Sequence, residues 1–70
     1  MATDNYPTPI LHALKILRAN PHYLADARRF AAVHNTVAGS VLSLTLEVPR
    51  QYAEQAVREA LAVLDQEAQP

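Results

Sequence analysis

"VLSLTLEVP", residues 41–49, can be read in two periods, and the choice decides the fold. Taken every second residue, Leu42, Leu44, Leu46 and Val48 share one face while Ser43, Thr45 and Glu47 share the other, the alternation of a half-buried strand. Taken every third or fourth, Val41, Leu44 and Val48 extend a stripe that begins at Phe30, Val33 and Val37, which is helical spacing. A strand needs partners for its backbone N–H and C=O groups. No other segment alternates well, and "FAAVHNTV" (30–37) reads better as helix. The strand reading therefore gives an α+β fold in which residues 41–48 pair with their own copy across a homodimer. The helix reading runs from Asn35 or Thr36 to Glu47. It buries Val37, Val41 and Leu44 and leaves Leu42 and Leu46 on a second face that needs cover. Alanine-rich surroundings and a single glycine, Gly39, favour the helix. The expected class is thus all-α, a compact domain of three to four helices.

The flanks agree with that class. Residues 1–7 are polar and proline-bearing and read as a disordered lead-in, as do residues 68–70 as a tail, leaving one helical domain over 8–67. Thr8-Pro9 supplies a hydroxyl cap followed by proline, and Ile10, Leu11, Leu14 and Leu17 predict a helix over 9–19. Asn20-Pro21 repeats the signal, predicting a second helix from Pro21 to about Ala32, with Tyr23, Leu24, Ala27, Phe30 and Ala31 inward and an Asp26–Arg29 pair outward. After Pro49, a stripe of Tyr52, Ala53, Ala56, Val57, Ala60, Leu61 and Leu64 predicts a helix over 50–67, with Arg50–Glu54 and Glu54–Arg58 pairs on its wet edge.

Composition removes several function classes. Seventy residues lie near the lower limit for a single core, and half of them are hydrophobic. The absence of cysteine excludes disulfides, a thiolate nucleophile and Cys-based zinc sites. A net charge of −1 lacks the basic excess usual in DNA-binding domains. There is no apolar run long enough for a membrane span and no signal-peptide pattern at the start, so a soluble, cytoplasmic protein is expected. His12, His22 and His34 lack an i,i+4 partner, acidic residues are dispersed, and glycine-rich phosphate loops and nucleophile elbows are missing. No catalytic residue, cofactor or metal ligand is assigned, and an enzyme is not expected.

One longer pattern carries a resemblance. "ARRFAAVHNTVAGSVLSL", residues 27–44, resembles the helix-turn-helix of LysR-type transcriptional regulators. Ala27, Arg28, Arg29 and Phe30 match the close of the family's first helix, Thr36, Val37, Val41 and Leu44 have its recognition-helix spacing, and Leu11, Leu14 and Leu17 sit where its packing helix lies. Gly39 stands where that family usually has arginine. The resemblance implies DNA contact through Arg28, Arg29, His34, Asn35, Thr36 and Ser40, with Ala38 and Gly39 on the same face. The strand alternative is similar to ribbon-helix-helix repressors, with Ser43, Thr45 and Glu47 as the reading side chains.

The leading functional expectation is a small non-enzymatic regulatory protein, an adaptor or inhibitor, that acts by contact. On this reading it forms a homodimer and grips a larger protein partner. The expected interface is Leu42, Leu46, Tyr52, Val57, Leu61 and Leu64, on the premise that seventy residues cannot cover so much apolar surface alone. The alternative is a helix-turn-helix DNA-binding regulator.

Overall fold

A computed structural model describes residues 6–30 and 36–68. They form four helices, α1 (Thr8–Ala19), α2 (Pro21–Arg29), α3 (Val37–Leu46) and α4 (Arg50–Ala68), with no strand among the described residues. The domain is all-α, and the strand alternative for residues 41–48 is overturned. A helix satisfies its own backbone groups within one chain, whereas the strand required a second copy. Residues 1–5 and 69–70 of the expected lead-in and tail lie outside the described residues. Tyr6 packs against the core and Ala68 belongs to α4.

Local chemistry sets the helix ends. Pro7, rather than Thr8, caps α1; its carbonyl accepts from the Ile10 and Leu11 N–H groups at 3.0 and 3.1 Å. Pro9 falls in the first turn, where a missing N–H costs no helical bond. Asn20 closes α1 rather than capping α2 with its side chain: its backbone N–H and its Nδ2 both donate to the Ile16 carbonyl, at 3.1 and 3.3 Å. Its own carbonyl then accepts from Tyr23 and Leu24 as α2 begins. The second helix stops at Arg29, short of the predicted Ala32, with Phe30 already outside helical geometry at ψ 29°. Glu47 ends α3 in the left-handed region at φ 55°, and the Val48 N–H reaches back to the Ser43 carbonyl at 3.1 Å. That six-residue closure is a Schellman-type stop. The Ser43 hydroxyl donates to the Val48 carbonyl at 2.6 Å, and Pro49 follows where the helix cannot continue.

The longest helix, α4, is the hub, with α1, α2 and α3 all packed against it. Pro7, Pro9 and Ile10 lie beside Tyr52, Gln55 and Ala56, while Arg18 meets Glu67, so α1 and α4 run parallel. The short turn after Leu46 folds α3 back along α4 as a helical hairpin, bringing Gly39 against Glu54. Ile10, Ala13, Leu14 and Leu17 from α1, Ala27 from α2, Ala38 and Leu42 from α3, and Ala53, Ala56, Val57, Ala60, Leu61 and Val63 from α4 form the core. Six of those thirteen are alanines, so the helices approach closely; Leu17 and Leu42 are the largest apolar side chains wholly covered, each contributing about 2 kcal/mol of burial.

Candidate functional site

Among the described residues, the interior holds one polar centre, at the start of α3. Thr36 caps the helix, its Oγ1 accepting from the Gly39 N–H at 3.0 Å. The same hydroxyl donates to Glu54 Oε1 at 2.7 Å, and the Thr36 N–H donates to Glu54 Oε2 at 3.0 Å. Asp26 Oδ2 accepts from the Val37 N–H at 2.9 Å. Two carboxylates thus meet the positive end of the α3 dipole and satisfy backbone donors that the helix itself leaves open. Glu54 is 1% exposed, so its expected place on the wet edge of α4 is overturned. It is buried because it serves α3 and not the solvent. Asp26, expected to pair with Arg29, spends one oxygen on α3 as well.

Gly39 sets the rotation of α3. A β-carbon at this position would overlap the Glu54 carboxylate, so only glycine lets that group reach the helix end. With Gly39 facing α4, Ala38 and Leu42 also turn inward, and Val37 and Leu44 turn outward. The expected burial of Val37 and Leu44 is therefore corrected: Leu44 is 81% and Val37 43% exposed. Val41 is half-buried between them and Thr45 is exposed. No charged residue occurs anywhere in α3. Its outer face is consequently an apolar strip on a helix that would ordinarily present charges to water.

The predicted interface residues separate into two groups. Leu42, Val57 and Leu61 are sealed in the core of a single copy, 0%, 1% and 7% exposed, and are corrected from surface to interior. Leu46 and Leu64 are half-buried packing residues, and Tyr52 alone of the set is exposed. The outer α3 face, Val37 and Leu44, was missed. The one available signal was the lone glycine inside a helix, which marks the side of closest approach.

Of the residues implied by the helix-turn-helix resemblance, Arg28 pairs with Asp65 at 2.8 Å and Arg29 lies over the Phe30 ring, 5.4 Å from its centroid. Both remain exposed. Thr36, Ala38 and Gly39 are buried, which corrects their placement on an outward face: the hydroxyl is engaged with Glu54 and the two small residues pack inward. Ser40 is half-buried, and His34 and Asn35 lie outside the described residues.

One further concavity lies between α1 and α4, lined by Pro7, Pro9, Ile10, Tyr52, Gln55, Ala56 and Glu59. Its 190 Å³ is below the ~300 Å³ at which small-molecule sites begin. Among the described residues, His12 is half-buried, His22 is exposed, and no group of three potential ligands could hold a metal ion. Likewise no helix is long and apolar enough to cross a membrane. No family model matches the chain, and neither a curated protein nor a solved structure matches it.

Proposed function

We propose that this is a small, non-enzymatic regulatory or adaptor protein that acts by contact with another protein chain, through the outer face of α3. One observation carries the reading: Leu44 stands 81% exposed in the last turn of α3, on the side that also leaves Val37 exposed, in a helix without a charged side chain. An exposed leucine alone is ordinary, but a continuous uncharged strip on a small domain marks a surface selected for contact. Leu44→Asp tests it. The substitution touches no core residue, so the fold should be retained, with a loss of about 1 kcal/mol from helix propensity and the α3 dipole. Capture of protein from nuclease-treated lysate of the source cells should be lost. Equal capture by wild type and variant would remove the reading.

A helix-turn-helix DNA-binding role is the second reading, supported by the order of α2 and α3 and by the exposed Arg28 and Arg29. The uncharged outer face of α3 favours it less, since phosphate contact depends on basic side chains. It requires DNA retention that weakens with salt and with Arg28→Ala or Arg29→Ala; no retention at low salt would exclude it.

A further inference from the structure

The occupant of the α3 face can be named from its symmetry, an inference that rests on the contact reading above. Val37 and Leu44 flank Val41 at four and three residues. A two-fold axis beside Val41 therefore lays Val37 of one copy against Leu44 of another, and Val41 against itself, in an antiparallel helix pair. The same axis matches the charges at the two ends. The last turn of α2 is held at the start of α3, because Asp26 Oδ2 accepts from the Val37 N–H. Arg29 and Phe30 lie within one turn of Asp26, both exposed. Glu47 is exposed at the far end of α3, ten residues and roughly 15 Å along the axis. Antiparallel pairing brings the end of each copy that carries Arg29 toward the end of the other that carries Glu47, twice per dimer. Parallel pairing would set like charges together at both ends. Between the ends α3 is neutral, and a net charge of −1 gives two copies little reason to repel.

We propose that the outer face of α3 is covered by a second copy of this chain, in an antiparallel, isologous dimer closed by two Arg29–Glu47 pairs. A single-helix interface falls below the ~1,200 Å² of standard complexes and belongs to the weak class. Association is expected between ~10 µM and ~1 mM.

Sedimentation equilibrium at low salt tests this on the full chain, with circular dichroism as the folding control. Wild type should show a reversible monomer–dimer equilibrium, which Leu44→Asp abolishes. Arg29→Glu alone and Glu47→Arg alone should each weaken it about tenfold or more, since each converts two attractive pairs into repulsive ones. The two single variants mixed together should associate again, and R29E/E47R should recover wild-type affinity to within about threefold. A wild type that stays monomeric at ~1 mM overturns the proposal. So does a dimer indifferent to the charge variants, or one in which mixing fails to restore association. If wild type is monomeric while Leu44→Asp still abolishes capture of another protein, self-pairing fails and the contact reading stands. If Leu44→Asp alters neither measurement, both fail.

Discussion

Gly39 is the residue on which the arrangement of α3 depends. In a helix interior glycine is destabilising by about 1 kcal/mol relative to alanine, so on propensity alone Gly39→Ala should stabilise the protein. The packing argues for the opposite sign. The new methyl would occupy the space of the Glu54 carboxylate, which is 1% exposed and accepts from both the Thr36 N–H and the Thr36 hydroxyl. Moving that carboxylate strands buried donors, each costing about 1–3 kcal/mol. Gly39→Ala should therefore lower stability by a net ~1–3 kcal/mol, read as a lower urea midpoint at unchanged slope. An increased midpoint would mean that Glu54 moves aside without cost, and that the inward orientation of Gly39 does not fix the helix phase. Both residues were visible in the sequence, but their meeting was not. Glu54 sits between Arg50 and Arg58 at helical spacing, a pattern that reads equally well as a surface ion-pair ladder.

At the scale of elements, α1 and α4 were legible and the phase of α3 was not. Ile10, Leu14 and Leu17 leave polar gaps at 3.6-residue spacing, as do Ala53, Val57 and Leu61, so the inward face follows from the pattern. In α3 every position from Val37 to Leu46 is apolar, small or hydroxyl-bearing, and no polar face exists to set the rotation. Tertiary hydrogen bonds set it instead, through Asp26 on α2 and Glu54 on α4. The candidate surface escapes the pattern for the same reason, because at helical spacing its residues read as core. The stability of α3 should accordingly depend on its first turn. Thr36→Ala removes the cap to Gly39 and leaves Glu54 Oε1 without its hydroxyl, a loss of about 2–4 kcal/mol. Thr36→Ser keeps both bonds and should cost under about 1 kcal/mol. Hydrogen exchange would locate the effect: amides of α3 should lose protection first in Thr36→Ala. Loss spread evenly over α1 and α4 would show that the cap is not specific to α3.

At the scale of the whole molecule, one copy suffices to make a closed core. The radius of gyration is 11.1 Å, against about 11 Å for a compact 70-residue domain. The surface of 4726 Å² lies only about a tenth above the ~4,300 Å² expected for a monomer of this mass. The premise that the chain cannot cover its own apolar surface is therefore corrected: Leu42 and Leu61 are covered within one chain, and the large apolar side chains left exposed among the described residues are Phe30, Val37, Leu44 and Tyr52. Neighbouring leucines test this division. In a strand Leu42 and Leu44 would share a face and respond alike; in this helix they are about 200° apart. Leu42, wholly buried against α4, should lose about 3 kcal/mol on Leu42→Ala, a large share of the ~4–10 kcal/mol a domain of this length possesses. Leu44→Ala should stay within about 0.5 kcal/mol in dilute solution. Thermal unfolding of the two variants at low micromolar concentration separates the effects, because any dimer is dissociated there and only the single copy is measured. Equal losses at both positions would return residues 41–48 to a one-sided pattern and undo the assignment of an inner and an outer face to α3.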